Sequence, residues 1–156
     1  MLWLRKQGHP VLGVELSPFA TKAFFDENGY FPEHVNSGKF DRFDANDISI
    51  LCGNFFDLNK DDLVKVKAVY DRASMVALPP ETRKRYVQHL VNILPPETQI
   101  LLITFDYPQT EMIGPPFAVS PDEIATLYHQ YADICLLDQM DVLAQNPRFQ
   151  EHGFSR

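Results

Sequence analysis

The stretch VKVKAVYDRASMVALPPETRKRY, Val64 to Tyr86, decides the reading of the fold, because strand, polar site and helix follow one another in it. Val66, Ala68, Val69 and Tyr70 read as a buried strand. At its C-terminal end stand Asp71 and Arg72, where an open α/β sheet places its ligands. The small and apolar residues Ala73 to Leu78 then carry the chain across the sheet edge, and Pro79-Pro80-Glu81 opens a helix to about Leu94. An alternative is that Asp71 and Arg72 form a plain surface ion pair, worth ~0–1 kcal/mol.

Upstream, Met1 to Gln7 has the pattern of the last turns of a helix stopped by Gly8, so further structure is expected before it. Val11 to Glu15 is a short strand ending in a carboxylate. Ser17-Pro18 caps and starts a helix through about Asn28, with Gly29 behind it. An acid at a strand end before a helix suits a ribose diol, since its oxygens accept the hydroxyl hydrogens. The alternative for Glu15 is a carboxylate favoured only by the helix dipole. Tyr30 to Asp47 is polar and reads as a long irregular excursion. Ile48 to Cys52 is the next strand, and Gly53, Asn54 and Phe55 follow it. Gly and Asn permit close backbone approach and a tight turn, while Phe55 could lie against a flat ring and either phenylalanine could equally be core.

Downstream, Pro95-Pro96 ends the helix and Gln99 to Phe105 reads as a strand. Gly114-Pro115-Pro116-Phe117 is a stiff turn too rich in proline for sheet interior. Ser120-Pro121-Asp122-Glu123 is a capping box opening a helix to about Tyr131. Ile134 to Leu137 reads as a last strand before a polar tail that carries Arg148. The alternation predicts one α/β domain with a mainly parallel sheet. Glu15, Asn54 and Asp71-Arg72 all end strands, so they are expected on one sheet edge.

Composition narrows the function. A chain of 156 residues, 45% hydrophobic and 22% charged, fits one globular domain. Its formal charge of −7 argues against a nucleic-acid partner, which needs a basic face. Arg5 and Lys6 interrupt the apolar start, leaving no signal or membrane-spanning run, so a cytoplasmic location is the default. Cys52 and Cys135 lie in apolar runs and read as buried reduced thiols. Asp57, Asn59 and Asp61 imitate a calcium loop, but Asp62 and Ala68 stand where glycine and glutamate are required. The five histidines have no metal-ligand spacing, and no metal is predicted.

Six stretches, GHPVLGVELSPFATKAFF, CGNFFDL, AVYDRASMVALPPETRKRY, LLITFDYPQ, EMIGPPFAVSPDEI and DVLAQNPRFQEHG, together resemble the thiopurine S-methyltransferases, and are close to their bacterial members. The resemblance implies a Rossmann-like three-layer methyltransferase fold and S-adenosyl-L-methionine as methyl donor to the sulfur of an aromatic or heterocyclic thiol. It places Glu15 on the cofactor ribose, Asn54 and Phe55 on the adenine side, and Arg72 at the cofactor and the reacting centre. It puts Pro115, Pro116 and Arg148 on the acceptor side. Asp71 is the local candidate base, although a heterocyclic thiol ionises readily without one.

Such proteins also carry a strand, a tryptophan and a glycine loop before the position of Met1, and a strand after that of Arg156. By the usual sheet order, the first of these strands would lie between those at Val11 and Val66. The last would lie between those at Leu101 and Ile134. The resemblance therefore implies a sheet incomplete at both ends, in a monomer when complete and with self-association open otherwise. Two other readings stand beside it. An inactive fragment or interaction module would use exposed sheet edges for strand addition. A nicotinamide dehydrogenase would share Glu15, but it requires a G-x-G-x-x-G that the chain lacks and accounts for neither YDRA nor GPPF.

Overall fold

The computed structural model describes residues 1–147 and Phe149. They divide into two compact units, Met1–Asn59 and Lys60–Arg156. The α/β class holds, with six strands and five helices among the described residues.

In the first unit, helix α1 (Leu2–Lys6) leads into β1 (Val11–Glu15), helix α2 (Pro18–Glu27), and strands β2 (Glu33–Asn36), β3 (Asp41–Ala45) and β4 (Ile48–Cys52). The sheet order is β1-β4-β3-β2, with β1 parallel to β4 and the other pairs antiparallel. Ser17 caps α2 as its sequence predicts, its hydroxyl accepting from the Ala20 amide. Alternation along β4 sends Ile48 and Ile50 to one face, where they meet Phe25 of α2 and the partly buried Leu2 and Phe43.

The segment expected as an irregular excursion, Tyr30 to Asp47, is instead a β-hairpin. Its residues are poor strand formers, and pairing stabilises it. His34 stacks on its ladder partner Phe43 with ring centroids 4.5 Å apart and also reaches Asp41 at 2.9 Å. Arg42 holds Asp44 through two nitrogens at 2.7 and 2.9 Å. Hydrogen bonds from His34 and Asn36 lower the pKa of Asp41, and those from Arg42 lower that of Asp44. The β3–β4 connection is Asn46-Asp47, both at positive φ, which turns the chain in two residues.

The second unit contains β5 (Ala68–Asp71), helices α3 (Ser74–Ala77) and α4 (Pro80–Ile93), β6 (Gln99–Leu102) and helix α5 (Pro121–Tyr128). Strands β5 and β6 pair in parallel. Arg83, Tyr86, Val87, Leu90 and Ile93 form the buried stripe of α4. The ladder partners Tyr70 and Leu101 lie on the other face of the two-stranded sheet and are exposed.

Three expectations fail here. Val66 to Tyr70 is not a buried strand, since β5 starts at Ala68, and Ala68 and Tyr70 are exposed where no further layer covers that face among the described residues. Ile134 to Leu137 is not a strand, and Cys135 is exposed rather than buried. An extended run becomes a strand only when a neighbour completes its backbone hydrogen bonds, and no described strand pairs with this one. Leu137 is consequently 76% exposed. Cys52, in the centre of a paired strand, is buried as expected.

Replacing Phe25, 1% exposed, by alanine is expected to lower the unfolding free energy by ~3–5 kcal/mol, read from the urea midpoint. A loss below ~1 kcal/mol would remove Phe25 from the core of the first unit.

Candidate active site

In the first unit, the parallel register sets Glu15 beside Cys52, so Gly53, Asn54 and Phe55 follow at the same end of the β1–β4 pair. The Gly53 amide continues the ladder by donating to the Glu15 carbonyl at 2.9 Å. A side chain at Gly53 would come within 2.6 Å of the Phe40 ring and 2.9 Å of the Lys39 carbonyl oxygen. Close approach, not positive φ, is therefore what requires glycine there. The sequence already marked that position.

The Glu15 carboxylate is aimed by the turn it precedes. Its Oε1 accepts from the Ser17 amide at 2.8 Å. One carboxylate oxygen is thus held by the backbone of the following turn. Asn54 Oδ1 accepts from the Phe56 amide at 3.1 Å and caps a single 3-10 turn, Phe55–Asp57. Phe55 and Phe56 meet edge to face at 5.7 Å, both half-buried. Three of the expected cofactor contacts, Glu15, Asn54 and Phe55, thereby lie at one end of the β1–β4 pair, whereas Asp71 and Arg72, expected on the same sheet edge, end a strand of the separate β5–β6 sheet.

In the second unit, Asp71 and Arg72 part company. Successive strand residues face opposite ways, and Asp71 is 3% exposed while Arg72 is exposed. The plain ion pair between them is absent. Asp71 Oδ1 accepts from the Ser74 amide at 2.9 Å and Oδ2 from the Tyr86 hydroxyl at 2.9 Å. The carboxylate thus caps the turn into α3 and anchors α4. Burial, and then the nearby Asp71 charge, raise the pKa of Tyr86 and Tyr128 well above the ordinary tyrosine value.

The proline turn comes back to the same place. Gly114-Pro115 and Pro115-Pro116 are both cis, and the Phe117 amide donates to the Val76 carbonyl of α3 at 2.6 Å. Pro115 and Pro116 are thereby brought to the helix that directly follows Arg72. The Tyr107 hydroxyl donates to the Pro116 carbonyl. Arg148 lies outside the described residues.

The residues that build this site without being singled out from the sequence are Tyr86, Tyr107 and Arg83. Arg83 and Tyr86 stand three apart on α4, inside a stripe otherwise apolar. Two polar groups on a buried helical face were the available signal. Among the described residues, no group of His, Cys, Asp and Glu is arranged to hold a metal ion, and no helix is long and apolar enough to cross a membrane.

The chain matches a model of the family described as thiopurine S-methyltransferase over residues 1–156. A protein of Nitrosospira multiformis with that name is 64% identical over 156 residues, covering 100% of this chain and 71% of that protein. Proteins of the same name from Marinobacter nauticus and Methylococcus capsulatus are each 46% identical, covering 98% and 100% of this chain and 70% and 71% of theirs.

The buried Tyr86–Asp71 pair has a pH consequence. Folding requires the neutral hydroxyl, whose pKa is raised in the folded state, whereas a tyrosine in the unfolded chain ionises near pH ~10. Its contribution is complete below that pH and is lost as pH rises above it. Tyr86→Phe is expected to lower stability by ~1–3 kcal/mol at pH ~8 and to make the decline above pH ~10 shallower. Urea titrations across that range measure both, and an unchanged alkaline slope would sever the link to Tyr86.

Proposed function

The chain belongs to the thiopurine S-methyltransferase family, an enzyme family, and from that premise we propose that it transfers a methyl group from S-adenosyl-L-methionine to the sulfur of an aromatic or heterocyclic thiol. The proposal treats residues 1–156 as belonging to one cytoplasmic methyltransferase domain that acts on a small thiol. The observation that carries it is the β1–β4 register, which sets a half-fixed carboxylate beside a glycine, an asparagine and a half-buried phenylalanine. That donor and acceptor set fits a nucleoside: acid for the diol, apolar ring for the base.

When bound, the cofactor supplies an electrophilic methyl group on a sulfonium. The protein's own part is then to orient the acceptor and exclude water. Glu15 accepts from the ribose hydroxyls. Asn54 and Phe55 bound the adenine. Arg72 is exposed, and it stabilises a thiolate with a charge it cannot lose. Asp71 serves as an anchor, because both its oxygens already accept from Ser74 and Tyr86. Pro115 and Pro116 line the acceptor side, the role that the family resemblance also gives Arg148.

A second reading rests on the sheet edges. Among the described residues, strand β1 has a ladder partner on one side only, as has β5, and each could receive a further strand. Sedimentation of the purified chain separates the readings, since a monomer across micromolar concentrations counts against association through those edges.

Calorimetric titration with S-adenosyl-L-methionine, together with methyl transfer to thiophenol, tests the main proposal. Glu15→Gln is expected to weaken cofactor binding by about tenfold to a hundredfold, as loss of hydrogen bonds to a charged group does. Arg72→Ala is expected to lower kcat/KM for the thiol by about a hundredfold or more. Absence of cofactor binding at millimolar concentration would overturn the proposal.

A further inference from the structure

Arg83 is 2% exposed, in the first half of a helix whose other buried residues are apolar or aromatic. Its Nη1 donates to the Ala118 carbonyl at 2.9 Å, and its Nε stands 2.9 Å from Glu123 Oε1 at the start of α5. Burying a guanidinium is costly, and an apolar residue of similar volume would often stabilise such a position as well. What the charge adds is one directed hydrogen bond, from Nη1 to Ala118, beside an ion-pair contact with Glu123 in which the buried Nε–H is not aligned to hydrogen-bond. Those partners bracket the proline turn on its C-terminal side.

Each residue along that side is hung from a different support. Phe117 donates to Val76 of α3 at 2.6 Å, the Ala118 amide to Gln109 Oε1 at 2.9 Å, and Val119 to Phe105 beyond β6 at 2.8 Å. The Ala118 carbonyl, the remaining polar group between Phe117 and Val119 on the helical side, is taken by Arg83. Glu123 departs from the reciprocal capping pattern: Ser120 Oγ accepts from its amide at 3.2 Å, while its carboxylate turns to Arg83. One buried cation therefore couples α4, α5 and the turn that carries Pro115 and Pro116.

We propose that Arg83 is a positioning residue for the acceptor thiol: it touches neither ligand and sets acceptor affinity by holding the Gly114–Phe117 turn against α3. This rests on the functional reading given above, which places Pro115 and Pro116 on the acceptor side. Loss of the guanidinium frees the Ala118 carbonyl and the first turn of α5, so the turn shifts relative to Val76 and hence to the strand end bearing Arg72. A displacement of about 1 Å suffices to cost catalysis dearly.

The test compares Arg83→Met, Arg83→Lys and Glu123→Gln in the full chain by three measurements: amide hydrogen exchange, thiophenol kinetics and S-adenosyl-L-methionine binding by calorimetry. In Arg83→Met, exchange at Phe117 and Ala118 is expected to accelerate about tenfold or more while strand amides of β1 and β4 hold. KM for thiophenol rises about tenfold with cofactor affinity within about twofold, and Arg83→Lys recovers part of the loss. Glu123→Gln, on a half-exposed partner, gives a smaller shift of the same kind and serves if Arg83→Met does not fold. Unchanged exchange at Phe117 and Ala118 overturns the role of Arg83, as does a loss of cofactor affinity parallel to that of the thiol. Failure of the unaltered chain to methylate thiophenol overturns instead the functional reading, and the exchange result stands apart from it.

Discussion

A carboxylate withdrawn from water must be given donors, and Asp71 obtains them from two neighbouring elements at once. The Ser74 amide ties the strand end to the start of α3, and the Tyr86 hydroxyl ties it to α4. Because Asp71 faces inward, the alternation of the strand turns Arg72 outward, where its charge is available to a ligand. One buried hydrogen-bonded acid thus arranges the strand end, the turn after it and the exposed cation together. Both oxygens of Asp71 are thereby engaged.

Helix α4 extends this arrangement. Tyr86 meets Asp71, and Arg83, one turn earlier on the same face, meets Ala118 and Glu123. The apolar Val87, Leu90 and Ile93 continue the stripe and supply the burial that drives the helix onto its neighbours. The polar pair at its N-terminal end contributes register instead. Without it the helix could still be buried, but the proline turn would lose a support.

The first unit follows a different rule. There the ladder carries the geometry: pairing β1 with β4 fixes where Gly53, Asn54 and Phe55 emerge relative to Glu15. The β2–β3 hairpin extends that sheet through pairs that no single-residue propensity favours. His34 on Phe43, Arg42 on Asp44, and Ser49 donating to Asp44 are cross-strand or same-strand partners that exist only once the strands are aligned. That is why Tyr30 to Asp47 looked irregular, and why Asn46-Asp47, lacking the glycine common in such turns, gave little warning of a tight turn.

The amino-acid order alone determined what depends on near neighbours. Ser17 and Ser120 announced helix starts because a cap needs only an oxygen within three residues. Val11 to Glu15 and Ile48 to Cys52 announced strands because apolar runs bounded by turn residues have few other fates. The places of Glu15, Gly53 and Arg72 at or just after strand ends were legible for the same reason.

Tertiary structure alone decided what depends on partners distant in the chain. It separated Asp71 from Arg72, recruited Tyr86 and Arg83, and left Ile134 to Leu137 and Cys135 outside any sheet. A cap or a turn is a local energy minimum that its own residues specify. A buried charge or a β-ladder has no stable form until a partner arrives, and the partner's position is a property of the whole fold.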